Sequence, residues 1–245
     1  MNAKIIRLGE VDSTNRYLKN YHPEDDEEMT VAVADFQTAG KGQGTHTWES
    51  EAGKNLLFSI MVHPHWVPVC RQFVLSMAEA LAIKDALDSY VEGITLKWPN
   101  DVYWNDKKIS GTLIETSVDS HGIKTCVFGT GVNINQVEFL SDAPNPVSLA
   151  QILGHEVDRE EVLQKILAAF DKYYELLRRA DYMDVSGIYH LALYRRKGYH
   201  RYEDKNGEFD GAFVEVEDDG HLILHDKEGM IRSYAFGEIK FLNNI

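Results

Sequence analysis

Hydrophobic residues recur along the chain in two patterns that predict different elements. Short, largely apolar runs bounded by polar turns predict strands over residues 4–8, 30–36, 55–62, 94–98, 102–105, 109–116 and 123–132. Apolar spacing and cap residues predict helices over residues 14–19, 69–91, 162–177 and 183–194. We therefore predict an α+β fold in which a mixed β-sheet is backed by helices.

The pattern changes after Arg195. Short β-like runs then alternate with polar turns that contain Gly207, Gly220 and Gly229, at a spacing of about ten residues. Such spacing is typical of a small barrel. We predict two domains, a larger one over residues 1–195 and a small C-terminal β-barrel over residues 196–245.

Composition and charge narrow the function classes. The chain of 245 residues has 39 acidic and 25 basic side chains and a net charge of −14, which argues against binding to nucleic acid. No apolar run approaches the roughly 20 residues of a membrane helix, and the amino terminus lacks a signal-peptide pattern, so we expect a cytoplasmic protein. Cys70 and Cys126 are too few for a disulfide framework, and we interpret both as buried thiols. No set of metal ligands is predicted.

One polar segment contains three glycines close together. Residues 36–48 place Gly40, Gly42 and Gly44 around Lys41 and end on Trp48. Glycines allow backbone N–H groups to approach an anion closely, and the lysine adds positive charge. The segment therefore indicates a mobile loop that binds an anionic ligand.

A second candidate site segment lies at the end of a predicted strand. Lys97 comes at the end of the apolar run Ile94–Leu96, and Pro99 stops the strand just after it. A lysine held at a strand end has a defined direction. We expect Lys97 and the glycine loop to contribute to one site.

Three further motifs are Asp12–Asn15, Lys108–Glu115 and Gly129–Asn135. Taken alone, the first could be an ordinary helix cap and Gly129–Gly131 a close-packed strand. Lys97 could likewise be a strand-end lysine whose stem packs on the surface. The order of all five motifs is more specific than any one of them.

With these five motifs, between about residue 12 and residue 135, the chain resembles the biotin–protein ligases. The resemblance implies a catalytic domain of the class II synthetase-like, biotin–lipoate ligase type, followed by an SH3-like barrel. It implies that biotin and ATP, with Mg²⁺, give biotinyl-5′-AMP and pyrophosphate. Biotin is then transferred to a lysine of a biotin carboxyl carrier domain. A homodimer is compatible with it, and neither nucleic acid nor membrane is an expected partner.

The resemblance also assigns candidate site residues. The expected catalytic residues are Lys97 and Lys41. The expected biotin-binding residues are Ser13, Thr14, Gln37, Gly40, Lys41, Lys97 and Gly111. The expected ATP-binding or adenylate-binding residues are Gly42, Gln43, Trp48, Asn100 and Asn133. Positive charge is needed because the reaction brings a carboxylate to a phosphate.

The chain departs from the family at three loop positions, one of which is His46, where arginine or asparagine is more usual. Many members have arginine where this chain has Gln43, and often a further glycine where it has Thr45. Glutamine keeps hydrogen bonding but loses a charge, so we expect looser retention of the adenylate unless another cation compensates.

Two other functions are open. A lipoate ligase or octanoyl transferase of the same fold would also acylate a carrier lysine. The second alternative is a biotin-binding regulator without enzymatic activity. Regulators in the family carry an amino-terminal helix-turn-helix, and the residues before Asp12 are too few for one.

Overall fold

The computed structural model of the chain describes residues 3–24, 27–42, 44, 46–141 and 145–242. Seven strands form one mixed sheet: β1 (Ala3–Val11), β2 (Met29–Gln37), β3 (Leu56–Val62), β4 (Ile94–Lys97), β5 (Asp101–Trp104), β6 (Lys107–Asp119) and β7 (Gly122–Val132). Their order in the sheet is β1-β2-β3-β7-β6-β5-β4. Only the β1–β2 pair is parallel among these strand pairs. The predicted mixed sheet is confirmed.

Five helices accompany the strands in the described ranges: α1 (Thr14–Lys19), α2 (Phe73–Asp88), α3 (Leu149–Leu153), α4 (Arg159–Arg178) and α5 (Tyr182–Ala192). Helices α2 and α4 pack on one face of the sheet, where the core includes Phe58, Phe128, Leu81 and Phe170. Each such buried side chain contributes roughly 1.5–3 kcal/mol to folding.

Two details of the predicted helices are wrong. The segment predicted as one helix over residues 69–91 begins with a 3₁₀ turn at Val69–Arg71, and its α-helical part ends at Asp88. Cys70 lies in that turn and is exposed, whereas Cys126 on β7 is buried as expected. Helix α3 was not predicted, although Ser148 and Gln151 form a capping box at its start.

A second sheet follows α5. Its antiparallel strands are β8 (Tyr199–Asp204), β9 (Gly207–Val216), β10 (Leu222–Asp226), β11 (Ile231–Tyr234) and β12 (Lys240–Phe241), in the order β11-β10-β9-β8-β12. It is consistent with the small barrel-like domain that the turn spacing predicts. The turn after β9 touches the first sheet, because the Trp98 indole donates to the Gly220 carbonyl at 2.9 Å.

The other face of the seven-stranded sheet is covered differently. Helix α1 packs Leu18 against Ala32, Met61 and Val127 at one end of this face. In the described part of the chain no helix packs over the remainder, which we call the open face. It carries the candidate site. None of the described helices is long and apolar enough to cross a membrane.

Candidate active site

A single row of paired residues crosses the open face of the sheet. From β2 to β4 it consists of Ala34, Leu57, Gly131, Gly111, Asp101 and Lys97. Two glycines from different motifs are therefore neighbours in the middle of the sheet, and Lys97 ends the row. The β-pairing, rather than nearness in sequence, brings the motifs together.

The glycines of β6 and β7 provide space for side chains from elsewhere. A Cβ atom on Gly131 would lie 2.2 Å from Cε2 of Trp48, and one on Gly129 would lie 2.0 Å from Oδ1 of Asn15. A Cβ atom on Gly111 would lie 3.0 Å from Cε of Lys108. The open face is thus flat enough for an indole ring to rest directly on the backbone.

Lys97 lies in a partly buried position at the edge of this face. Its amino group donates to the Tyr103 hydroxyl at 3.0 Å. Burial lowers the pKa of Lys97, with a further contribution from the charge of Arg195, while Asp101 opposes the shift. Burial also raises the pKa of Tyr103 to about 12. Asp101 itself pairs with Lys108 at 2.6 Å, so Lys108 and Asp101 largely offset each other beside the Lys97 ammonium.

A polar cluster lies two residues along the strands from this row. Gln37 Oε1 accepts from the backbone N–H of Thr14 at 2.8 Å and from its hydroxyl at 3.0 Å. The Ser59 hydroxyl lies 2.7 Å from that of Thr14 and 2.6 Å from Asn15 Oδ1. Ser13 is buried at the start of α1. The structure therefore brings together Ser13, Thr14 and Gln37, which the resemblance had assigned to one ligand group.

The glycine loop folds back on itself above the open face. Gly42 N–H donates to the His46 carbonyl at 2.8 Å, and Trp48 N–H donates to the Gly40 carbonyl at 3.1 Å. A Cβ atom on Gly40 would lie 3.4 Å from Gln37 Nε2, so the loop begins beside the polar cluster. Gln43 and Thr45, two of the departures from the family, lie outside the described residues.

Lys41 and Lys97 lie towards opposite ends of the open face. Burial disfavours ionisation of Glu115, but hydrogen bonds from Lys19 and Asn15 and the charges of Lys19 and Lys41 lower its pKa overall. Two strand spacings of about 4.8 Å and four residues of about 3.3 Å place the Cα atoms of Glu115 and Lys97 roughly 16 Å apart. Lys41 therefore lies nearer the Glu115 end of this face, and Lys97 lies at the other end.

Two polar atoms in the site are buried without a hydrogen-bond partner among the described residues. They are Nε1 of Trp48 and Oδ1 of Asn133. The Asn133 amide donates to the Val147 carbonyl at 3.1 Å, which leaves its oxygen as the unused acceptor. Buried polar atoms are nearly always paired in folded proteins, so these two are candidate contacts for a polar group of a substrate. Asn100 differs, because its side-chain amide donates to the Thr112 carbonyl.

The sequence did not single out four residues that contact the site. Asn15, Asp101 and Glu115 stood within the motifs but had no role, and Ser59 stood outside every motif. Ser59 is the one polar residue in the strand sequence LLFSIMV of β3, and it is fully buried. That isolated hydroxyl was a usable signal, since a core strand gains nothing from it.

One group of possible metal ligands occurs among the described residues, far from this row in the sequence. Glu217, Asp219 and His221 lie in the turn between β9 and β10, with their ligand atoms within 4.8 Å of one another. Asp219 already binds the His221 ring at 2.9 Å, and the acids are exposed. We assign no metal to the candidate site.

The chain is similar to known proteins over most of its length. The model of the biotin/lipoate A/B protein ligase family matches residues 8–133. A biotin–[acetyl-CoA-carboxylase] ligase from Paracoccus denitrificans is 31% identical over 207 residues, which is 80% of this chain and 84% of that protein. The bifunctional ligase/repressor BirA of Bacillus spizizenii is 28% identical over 96% of this chain and 73% of its own length.

A solved structure agrees over the whole fold. The biotin protein ligase from Aquifex aeolicus in complex with biotin and ATP superposes with a TM-score of 0.81 and 28% identity. The match covers 98% of this chain and 99% of that one. Both sheets therefore have counterparts in the solved structure.

Proposed function

We propose, because the chain belongs to the biotin/lipoate A/B protein ligase family, that it is an ATP-dependent biotin–protein ligase. The ligase from Paracoccus denitrificans and the Aquifex aeolicus structure with biotin and ATP support this function. The observation within the molecule that carries it is the row from Gly131 to Lys97. It offers a flat glycine floor beside a partly buried ammonium, which suits an extended ligand that ends in an anion.

In the first step a carboxylate oxygen of biotin attacks the α-phosphorus of MgATP. The new O–P bond replaces the bond to the β-phosphate oxygen, and pyrophosphate leaves with that electron pair. Negative charge grows on the α-phosphoryl oxygens in the transition state. We assign Lys97 to offset this charge, because its amino group is partly buried and the nearby Asp101 carboxylate forms its ion pair with Lys108. Lys41 adds a second cation when the loop moves.

The ring head of biotin fits the polar cluster. A ureido group offers two N–H donors and one carbonyl acceptor, and the cluster offers hydroxyl and amide groups from Ser13, Thr14 and Gln37. We add Ser59 and Asn15, which hold these groups in place through short hydrogen bonds. The apolar tail then passes over Gly111 and Gly40 towards Lys97. A site built on hydrogen bonds discriminates strongly against analogues that lack them.

The nucleotide fits the opposite side of the row. An adenine ring can stack on the Trp48 indole, and the unused oxygen of Asn133 can accept a hydrogen bond from its exocyclic amino group. Gly42, Gln43 and Asn100 complete the nucleotide site in this proposal. Stacking on an aromatic side chain is worth about 1–3 kcal/mol per base.

In the second step the neutral amino group of the acceptor lysine attacks the carbonyl carbon of the adenylate. The amide bond forms and AMP leaves with the electron pair of the broken C–O bond. The acceptor in the proposal is a biotin carboxyl carrier domain. The overall charge of −14 does not favour a nucleic acid as a further partner.

The proposal also includes the arrangement of the chain. We place a boundary near residue 195 between the catalytic domain and the small SH3-like barrel, because the two sheets share none of the described strands. Strand β1 is the edge of the first sheet and pairs only with β2 among the described strands. A second copy can add to this edge, so we include a homodimer in the proposal.

Isotope exchange between pyrophosphate and ATP tests the function directly. We expect exchange with biotin and ATP, no exchange without biotin, and none when lipoate or octanoate replaces biotin. Exchange with lipoate instead would assign the chain to the sister activity of its family. Binding of biotin without exchange would indicate a biotin-binding regulator. The absence of both biotin binding and exchange would contradict the proposal.

A further inference from the structure

The amino group of Lys97 lies between aromatic rings from the two different sheets. Tyr103 on β5 accepts its hydrogen bond, and the centre of the Tyr103 ring is 4.8 Å from Nζ. The ring of Phe241 on β12 lies on another side, with its centre 5.3 Å from Nζ. The first ring belongs to the sheet that carries Lys97, and the second comes from the barrel-like sheet.

Phe241 is held in place within the second sheet. It pairs with Tyr202 on β8, and the two rings meet edge to face at 5.0 Å. The next residue, Leu242, donates its N–H to the Arg201 carbonyl at 3.1 Å. Tyr202 is buried. The backbone of Phe241 is thus fixed by β8, while its side chain reaches the active-site lysine of the other sheet.

An aromatic ring suits an active-site cation better than a carboxylate would. The electron-rich face of the ring attracts an ammonium group, yet it carries no charge that would cancel the cation. Asp101, the acid closest in the pairing register, is occupied by Lys108 at 2.6 Å. The rings therefore fix Nζ and exclude water from it, and its positive charge stays available for an anionic substrate.

We propose that Phe241 is a positioning residue for Lys97, so that the second sheet completes the adenylation site. The proposal rests on the function proposed above. It gives the barrel a defined part in the first half-reaction: its last described strand orients the cation that stabilises the transferred phosphoryl group.

Replacing Phe241 with fluorinated phenylalanines tests the proposal without changing the shape of the side chain. Each added fluorine weakens the negative face of the ring while the packing stays nearly the same. We expect kcat for biotin-dependent pyrophosphate exchange to fall stepwise, to about a tenth with three fluorines, while KM for ATP changes little. Phe241→Tyr keeps an electron-rich ring and should retain activity close to that of the parent.

Natural substitutions provide the matched comparison. Phe241→Leu should lower kcat about tenfold. Phe209→Leu removes a ring of the same sheet that stacks on Tyr202 at 5.8 Å and lies under Arg232. Phe209→Leu should lower the melting temperature by about as much as Phe241→Leu does, but it should leave kcat unchanged.

Two results would overturn the proposal. One is equal kcat across the fluorinated series, and the other is an equal loss of kcat in Phe209→Leu and Phe241→Leu. The first would mean that the ring acts only through packing, and the second that any disturbance of the barrel lowers activity. Absence of exchange in the parent chain would instead contradict the proposed function, so the two failures are distinguishable.

Discussion

The two faces of strands β6 and β7 differ in whether their buried polar groups are paired. On the face towards α2, the hydroxyls of Thr112 and Thr130 both donate to the Glu79 carboxylate, at 2.9 and 2.6 Å. On the open face, Gly129 and Gly131 let other side chains lie directly on the backbone. The buried atoms Trp48 Nε1 and Asn133 Oδ1 there have no partner among the described residues. Alternate residues of the same strands point to the two faces.

The two faces therefore separate the residues that stabilise the fold from those that we assign to function. The face towards the helices is internally complete, so a change there alters the free energy of unfolding. The open face carries polar atoms that no described residue pairs, so we expect a change there to alter activity with little effect on folding. A substitution on either face tests this separation.

The largest expected effect is that of Lys97→Ala on the open face. Removing the cation that offsets charge at the α-phosphate should lower kcat for adenylation by about a thousandfold. Lys97 lies at the edge of the sheet, so the melting temperature should change by less than about 4 °C. Steady-state pyrophosphate exchange and thermal unfolding measure the two quantities.

The matched control is Lys124→Ala, an exposed lysine on β7 that makes no side-chain contact with the described site residues. It should leave both quantities unchanged. If Lys97→Ala adenylated biotin at the parent's rate, the charge-stabilising role would belong to another cation.

The second expected effect is that of Glu79→Gln on the opposite face. Burial raises the pKa of Glu79 from 4.5 to about 7, so the native protein favours its protonated form. This contribution to stability is complete below about pH 4.5, where both states are protonated. It is lost between about pH 4.5 and pH 7, because the unfolded chain ionises in this range while the native carboxyl stays protonated.

The loss amounts to about 3 kcal/mol. Glutamine cannot ionise, and its oxygen can accept both threonine hydroxyls. Relative to the parent, Glu79→Gln should therefore gain about 3 kcal/mol of unfolding free energy between pH 4.5 and pH 8. Urea unfolding at the two pH values measures this difference. If the difference in unfolding free energy between Glu79→Gln and the parent were the same at both pH values, the pKa of Glu79 would not be raised. A change in kcat at constant pH would mean that this face also affects activity.

The same contrast explains what could be predicted from the sequence. Apolar runs and glycine turns predicted the strands, because they depend on local pattern. Lys97 could be placed at a strand end by the proline that follows its tryptophan. The row that joins Gly111 to Gly131 could not be predicted from local pattern, because it depends on which strands become neighbours.

Residues whose partners are distant in sequence were missed for the same reason. Glu79 reads as one of several polar positions in helix α2, and its two threonine partners come from strands that are distant in sequence. Phe241 reads as an ordinary barrel residue until the second sheet brings it to Lys97. Ser59 could have been noticed, but its role depends on Thr14 and Asn15, which lie on helix α1.

The smallest of these effects, and the most specific test of the open face, is that of Gly131→Ala. The added Cβ atom would lie 2.2 Å from the Trp48 ring, so the indole must leave the sheet. If adenine stacks on this ring, displacing it should cost about 2 kcal/mol and raise KM for ATP about thirtyfold. KM for biotin should stay within about twofold, because the polar cluster is untouched.

Gly187→Ala on α5 is the matched control, since a Cβ atom there would meet nothing within 4 Å. It should leave both KM values unchanged and raise stability by about 0.5–1 kcal/mol, because alanine suits a helix better than glycine. An unchanged KM for ATP in Gly131→Ala would mean that Trp48 does not stack on adenine. If Gly131→Ala lowered stability and left ATP affinity unchanged, the Trp48 ring on the open face would stabilise the fold, as the core on the opposite face does.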